Sequence, residues 1–207
     1  NPIITKQNSL LQHFNGWVIK AKTKSFNPKI GCLMDFDLSQ ENGATFMYVL
    51  PTSSNEALVE YTLFSPNVLE KETYVNALKK YIKEVLKIEN YTIEHEEFGV
   101  IPMSLEKFKN NPKKSVINIG TSGGYTKAST GYTFKFIQKN VLDIVRNLKK
   151  GKSPVQKLSF KNKIYQWYDR TLIDVLLTKK MSGKEVFTKI FKKNSAHKIL
   201  AFLGNES

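Results

Sequence analysis

The spacing of apolar residues divides the chain into an extended first half and a helical second half. Apolar runs with short polar connections predict strands at residues 8–20, 32–37, 45–50 and 57–64. The segment Gln-Glu-Asn-Gly at 40–43 is typical of a hairpin turn, because Asn-Gly tolerates positive φ. These strands predict an antiparallel meander that is covered on at least one side.

From about residue 70 to residue 87 the spacing changes to that of an amphipathic helix. Lysines and glutamates lie opposite one predicted apolar face, which carries Tyr74, Leu78, Tyr81, Ile82 and Val85. Residues 91–103 then return to an extended pattern, with Gly99 and Pro102 near its end.

A strand, a glycine-rich loop and a helix are predicted next, at residues 116–145. The β-branched run at 116–119 indicates a buried strand, and glycines between 120 and 131 let backbone amides approach a phosphate or sugar closely. The following helix adds the positive end of its dipole. The unit is a candidate cradle for a nucleotide or another anion, and a turn that serves chain geometry alone is the alternative. The predicted buried face of the helix carries Phe134, Ile137, Val141, Leu142 and Val145.

After residues 151–154 the pattern predicts helices only. Ser182 and Glu185 have the spacing of a capping box that opens a helix, and Gly204 suits the end of the last one. We predict a main domain at 1–150 and a basic helical subdomain at 151–207. The alternative is that these aromatic, basic helices lie on a membrane surface. Their predicted buried positions are Ile164, Trp167, Tyr168, Leu172, Val175 and Leu176, then Val186, Phe187, Ile190 and Phe191.

Charge separates the two halves more sharply than composition does. The net charge of the 207 residues is +14; residues 1–106 carry −3 and residues 107–207 carry +17. Such a bias suggests a nearby polyanion, namely nucleic acid, an acidic protein or anionic lipid, whereas a solvated lysine-rich surface is the alternative. Nucleic-acid binding has no recognisable motif here, so we predict no specific nucleic-acid partner.

The small numbers of cysteine and histidine residues limit which disulfide and metal sites the chain can form. One cysteine and three histidines without metal-binding spacing predict neither a disulfide framework nor a metal site. No stretch has the roughly 18 to 20 uninterrupted apolar residues of a spanning helix. We therefore expect a cytoplasmic location.

Two carboxylates lie inside apolar strands, which is costly for an anion. Asp35 stands in Leu-Met-Asp-Phe, and Glu60 stands in Ala-Leu-Val-Glu-Tyr-Thr. An apolar setting raises the pKa of a carboxyl group, so that it can hold a proton near neutral pH and act as a general acid. For each, a side chain that points outward is the alternative. Glu96 and Glu97 form a further acidic pair, although adjacent strand residues face opposite sides.

Several short segments, taken in order, resemble the lycopene cyclase family of carotenoid synthesis. The likeness covers nearly the whole chain and extends to Tyr-Asp-Arg at 168–170 and Phe-Leu-Gly at 202–204. The segments that carry it are Gln-His-Phe at 12–14, Leu-Met-Asp-Phe at 33–36, Tyr-Val-Leu-Pro at 48–51, Leu-Val-Glu-Tyr-Thr at 58–62, Glu-Phe-Gly-Val-Ile-Pro-Met at 97–103 and Ser-Thr-Gly-Tyr at 129–132.

The resemblance implies an α+β fold, in which an antiparallel sheet forms the substrate domain of an FAD-dependent enzyme of the Rossmann type. It implies that the ends of lycopene are closed into rings by acid–base chemistry without net oxidation, with reduced FAD required. Glu60 matches the essential glutamate of the family, and Asp35, Glu96 and Glu97 are further catalytic candidates. The implied flavin contacts are Gly120, Thr121, Gly123, Gly124, Thr130 and Gly131.

Two departures from the family pattern qualify these expectations. Ala128 stands where relatives often have proline, and the Gly-x-Gly-x-x-Gly segment that would hold the adenosine end of FAD is not in these 207 residues. We therefore expect the C-terminal portion of a longer enzyme, which binds FAD weakly or not at all and is inactive alone.

The expected partners are lycopene or a related polyene and an anionic membrane surface, to which the protein attaches peripherally. Two alternatives stay open. One is an FAD-dependent monooxygenase or reductase of another lipid, and the other is a non-catalytic module that binds anionic membranes.

Overall fold

The computed structural model describes residues 9–106, 108, 111, 113, 115–155 and 160–204. This part of the chain divides into two compact units. One unit comprises Leu11–Val100 with Ser182–Lys184, and the other comprises the described residues of Asn1–Leu10, Ile101–Met181 and Glu185–Ser207. The assignment of functions to 1–150 and 151–207 stays a prediction.

The strands form one five-stranded sheet in the order β2-β3-β4-β1-β5. The pairings β2–β3, β3–β4 and β4–β1 are antiparallel, which confirms the predicted antiparallel sheet. Gly43, in the predicted hairpin turn before β3, has φ of 133°, a value that favours glycine. The strands are β1 at Ser9–Ala21, β2 at Cys32–Asp35, β3 at Ala44–Pro51, β4 at Glu56–Ser65 and β5 at Tyr91–Ser104.

One face of the sheet is covered by helix α1, Lys71–Glu84. Alternate residues of β1 and β4 point toward it, because successive side chains of a strand face opposite sides. The core that results includes Trp17, Val59 and Leu63 from the strands, and the helix buries Tyr74, Leu78, Tyr81 and Ile82 against them. Val85 lies just past the end of α1 and is exposed, so its predicted place on the buried face is wrong.

The other unit holds a short 3₁₀ turn and four α-helices among its described residues. Helices α3, α4 and α5 bury Leu172, Ile173, Phe187 and Leu203, and their apolar cavity of about 370 Å³ is lined by none of the predicted site residues. The elements are the turn Gly120–Gly123, α2 at Phe134–Lys149, α3 at Phe160–Leu177, α4 at Gly183–Lys193 and α5 at Ala196–Gly204.

Two expectations for this unit are wrong. The run at 116–119 forms no strand: Val116 makes only an isolated bridge with Lys113, and Val116 and Ile119 are about half exposed. An apolar run becomes a buried strand only where a sheet edge pairs with it, and the described residues offer none here.

The predicted apolar stripes of α2 and α3 are also largely uncovered. Phe134, Leu142 and Val145 of α2 are exposed, as are Trp167 and Tyr168 of α3. Amphipathic spacing thus identified both helices, although it does not determine what covers the apolar face. Among the described residues, no helix is long and apolar enough to cross a bilayer.

Candidate active site

Glu60 lies in the middle of the sheet, on the face turned away from α1. On β4 it stands between Val59 and Tyr61, which both belong to the α1-facing core, so its own side chain points the opposite way. Its register partners are Gly16 on β1 and Tyr48 on β3. The residue is only 8% exposed, so the alternative of a solvent-facing carboxylate is wrong for Glu60.

The surroundings of Glu60 favour its protonated form. Burial is the main cause that raises the pKa of Glu60 to about 7, and the negative charge of Glu97 is a smaller contribution in the same direction. The hydroxyl of Thr62 donates a hydrogen bond to Oε1 of Glu60 at 2.6 Å, which acts in the opposite direction but is outweighed. Glu60 therefore has the property that a general acid needs at neutral pH.

Glu97 approaches Glu60 from β5 across a glycine. A Cβ atom built at Gly16 would lie 3.2 Å from both Cγ and Oε1 of Glu97, so the Glu97 side chain lies over the bare backbone at this position. The Asn15 side-chain amide donates a hydrogen bond to the backbone carbonyl of Glu97 at 3.2 Å. The sequence pattern did not indicate Gly16, because its importance depends on cross-strand register.

Aromatic rings lie on the same face of the sheet as Glu60. The ring of Phe46 packs 5.3 Å from Tyr48, the register partner of Glu60, and 5.1 Å from both Phe36 and Phe64. Such rings present negative faces that attract a cation. This face therefore combines a proton donor with a wall suited to positive charge.

Asp35 lies in a different environment from Glu60. Its carboxylate accepts hydrogen bonds from the Tyr81 hydroxyl at 2.7 Å and from the backbone amide of Asp37 at 2.8 Å. Tyr81 belongs to the buried face of α1, so these contacts hold β2 to that helix. The structure does not bring Asp35 to the carboxyl group of Glu60.

Glu96 is likewise separated from Glu97, as the alternation of strand residues predicts. Its side chain accepts a hydrogen bond from Asn15 at 3.1 Å and pairs with Lys71 of α1 at 3.3 Å. Both contacts lower the pKa of Glu96. This glutamate is therefore held as an anion on the α1 side of the sheet.

His13 is a buried histidine that was not among the predicted site residues, and both of its ring nitrogens are hydrogen-bonded. Ser65 donates its hydroxyl proton to the carbonyl of Asn67, so it accepts from Nε2–H of His13 at 2.7 Å. Tyr74 accepts from the amide of Leu69 and donates to Nδ1 of His13 at 2.6 Å. Burial lowers the pKa of His13 to about 4. The chain of bonds fixes the segment between β4 and α1, and it supplies no catalytic proton.

The glycine-rich loop is built by local backbone geometry. Gly120, Gly124 and Gly131 have φ of 60°, 75° and 70°, in the left-handed region that favours glycine. Gly123 is buried, and a Cβ atom there would lie 2.4 Å from the carbonyl oxygen of Asn118. Thr130 is also fully buried. Four of the six predicted flavin contacts (Gly120, Gly123, Thr130 and Gly131) are thus buried within the loop itself.

The remaining part of the loop presents exposed polar groups. Thr121 and Gly124 are exposed, and the hydroxyl of Thr126 bonds with those of Thr121 and Thr133 at 3.1 and 3.0 Å. Thr133 directly precedes α2. This set of hydroxyls next to a helix N-terminus fits the polar portion of a flavin nucleotide.

A buried ion pair anchors the loop to α3. Nζ of Lys127 lies 2.5 Å from Oδ1 of Asp169, and the Ser129 hydroxyl donates to the same oxygen at 2.6 Å. Lys127 also lies over the ring of Phe202 at 4.7 Å. Burial lowers the pKa of Lys127, and Asp169 opposes that effect. Sequence spacing could not reveal this pair, because 42 residues separate its members.

Comparisons with known proteins concern the family of the chain and its fold. A family model described as lycopene cyclase protein matches residues 3–206. No curated protein sequence matches the chain. A crystal structure of a geranylgeranyl bacteriochlorophyll reductase-like protein from Thermoplasma acidophilum is similar, with a TM-score of 0.57 and 12% identity. The match covers 99% of this chain and 53% of that one, so the chain spans about half its length, and the likeness concerns the fold alone.

Proposed function

This chain belongs to the lycopene cyclase protein family, and we propose that it provides the acid–base site at which the ends of lycopene are closed into rings. The observation that carries the proposal is the buried carboxyl group of Glu60, whose pKa is raised to about 7, on an aromatic face of the sheet. Among the described carboxyl groups, Glu60 and Asp169 are buried, and Asp169 pairs with Lys127.

The reaction needs a proton donor and protection for a carbocation. Thr62 occupies Oε1 of Glu60, so Oε2 is the atom that holds the transferable proton. Delivery of that proton to the terminal double bond leaves a cation in the polyene. The rings of Tyr48 and Phe46 lie on the same face as Glu60, where they stabilise positive charge and exclude water.

Flavin belongs to the proposal as the cofactor of the complete enzyme. When bound, reduced FAD would supply negative charge that favours the cationic stage, without net electron transfer. Thr121, Gly124 and the hydroxyls of Thr126 and Thr133 are the groups that would hold its polar part. A Rossmann-type arrangement of the complete flavoprotein is part of the same proposal.

A polyene substrate dissolved in a bilayer calls for peripheral membrane binding, which we also propose. Trp167 is 63% exposed and Tyr168 is 45% exposed on α3, in the half of the chain that carries +17. Exposed aromatic and basic residues favour attachment to anionic headgroups. If the protein sediments equally with neutral and anionic vesicles, electrostatic attraction to headgroups makes no contribution to binding.

A reductase or monooxygenase of another isoprenoid lipid is the second candidate. The similar solved structure is named as a reductase-like protein, which favours this reading at the level of fold. Such an enzyme consumes reducing equivalents and has less need of a protonated Glu60. Turnover that depends on NAD(P)H and survives Glu60→Gln would support it over the cyclase.

The deciding experiment is carotenoid extraction from lycopene-accumulating cells that express the complete enzyme or its Glu60→Gln variant. We expect ring products with the unaltered protein and at least about a hundredfold less with the variant, since general acid catalysis contributes factors of that size. Glu56→Gln, on the same strand with its side chain bonded to Thr52, is the matched control and retains activity. Ring formation that survives Glu60→Gln in folded protein contradicts the proposal.

A further inference from the structure

We infer that Glu97 is the proton-exchange partner of Glu60, and that Gly16 is the residue whose missing side chain lets the two carboxyl groups meet. This inference rests on the proposed function, because it concerns how the acid Glu60 is reloaded after each reaction. It assigns a positioning role to Gly16, which no sequence motif indicated.

The order of strands supplies the geometry. Glu60 is on β4 and Glu97 on β5, and β1 lies between these strands. The β1 residue opposite Glu60 is Gly16. A Cβ atom at Gly16 would meet Cγ and Oε1 of Glu97 at 3.2 Å. The glutamate from the outer strand therefore reaches over the middle strand at the position that has no side chain.

A second contact fixes Glu97 in this position. The side-chain amide of Asn15, the residue before Gly16, donates to the backbone carbonyl of Glu97 at 3.2 Å. Asn15 is almost fully buried, so the attachment of β5 to β1 is anchored from within. The backbone of Glu97 is thus held against β1, so the position of Glu97 over Gly16 does not depend on its flexible side chain alone.

The two carboxyl groups differ in access to water in a way that suits proton exchange. Glu60 is buried, whereas Glu97 is exposed. A buried acid that has given up its proton needs a route by which another proton arrives. An exposed carboxyl group that lies over Gly16, the register partner of Glu60, provides that route.

The other groups facing Glu60 do not supply this route. Thr62 on the same strand donates its hydroxyl to Oε1, and Tyr48 is the register partner on β3. Glu97 is the described acidic side chain whose negative charge raises the pKa of Glu60. Glu96 is held on the α1 side of the sheet by Asn15 and Lys71.

The proton balance closes without another reagent. Protonation of the alkene breaks the O–H bond of Glu60, forms a C–H bond and leaves a carboxylate. The proton lost when the ring alkene forms returns to solvent. Glu97 takes a proton from water and passes it across Gly16 to Glu60. One proton enters and one leaves in each cycle, and no electrons are exchanged.

Infrared titration of the purified protein tests the pair without substrate. The acid C=O stretch of Glu60 is identified by its loss in Glu60→Gln, and its midpoint pH is then followed in variants. In Glu97→Gln the midpoint falls by roughly 1 pH unit, because a neighbouring negative charge no longer favours the protonated form. Gly16→Ala shifts it in the same direction by a smaller amount, since the new methyl group displaces Glu97.

Glu96→Gln is the matched control, with the same charge change one residue away on the other face, and it leaves the midpoint unchanged. Glu97→Ala serves as a second variant should Gly16→Ala not fold. A midpoint that is unaffected by both changes at Glu97 overturns the inference, as does an equal shift in Glu96→Gln.

The catalytic consequence is measured separately as ring formation. Glu97→Gln lowers ring formation from lycopene by about tenfold or more at neutral pH, with the loss increasing as pH rises. If the infrared shift occurs but Glu60→Gln still forms rings, the carboxyl pair stands and the proposed function fails. If rings depend on Glu60 but Glu97→Gln changes neither readout, the function stands and the pair fails.

Discussion

The buried pair of Lys127 and Asp169 provides the strongest test of how the glycine-rich loop is held. Their side chains are 0% and 6% exposed, so neither charge has access to water. Asp169→Asn removes the negative charge, keeps the shape and takes from the Lys127 ammonium group the carboxylate that lies against it. The Ser129 hydroxyl loses its charged acceptor in the same change.

Breaking a buried pair by neutralising one partner costs about 3–5 kcal/mol, because the remaining charge stays in a medium of low polarity without the opposite charge. We expect Asp169→Asn to lower the free energy of unfolding by that amount. The Lys127→Met, Asp169→Leu double variant should cost less than Asp169→Asn alone, since replacing both charges removes the need to solvate either.

Urea unfolding followed by circular dichroism measures both variants against an internal control. Asp174 on the same helix pairs with Lys180 at 3.3 Å, and both side chains are more than half exposed. Asp174→Asn should therefore change stability by no more than about 0.5 kcal/mol. An Asp169→Asn cost as small as this would refute the reasoning, as would a double variant less stable than the single one.

Two further predictions concern the dependence of stability on pH. His13 is neutral when folded and its pKa is lowered to about 4, so the unfolded chain binds the extra proton. Stability should fall by up to about 3 kcal/mol as pH decreases from about 6.5 to about 4, and urea titrations of His13→Gln should show a flatter dependence. Glu60 has the opposite sign: its raised pKa means that the folded state retains a proton which the unfolded state releases. Glu60→Gln should therefore stabilise the protein by up to about 3 kcal/mol at about pH 8 and hardly at all at about pH 4; equal effects at both pH values would contradict this reasoning.

The sheet was predictable because its signals are local. Strands β1, β3 and β4 have apolar runs bounded by turn residues, and α1 has helical spacing of its core positions. The predictions of buried elements were wrong where burial depends on a partner that is distant in the sequence. The run at 116–119 has β-branched residues but no pairing strand among the described residues, and α2 has an apolar stripe that stays exposed.

The candidate site was predictable only in part, for the same reason. A glutamate inside an apolar strand is visible in the sequence, whereas a glycine opposite it is not. Gly16 acquires meaning from the register that sets it against Glu60. Lys127 and Asp169 look like ordinary charged residues until folding joins a loop to a helix 42 positions away.

Asp35 and Glu60 illustrate how one sequence signal leads to two different chemical roles. Both are carboxylates in apolar strands, but Glu60 is buried whereas Asp35 is half-buried. Asp35 accepts hydrogen bonds from the Tyr81 hydroxyl and a backbone amide, and the first of these attaches it to helix α1. Glu60 meets one hydroxyl and a second carboxylate, which together leave a proton as its best remaining partner. Burial and the number of donors around a carboxyl group together thus separate a structural contact from a candidate acid.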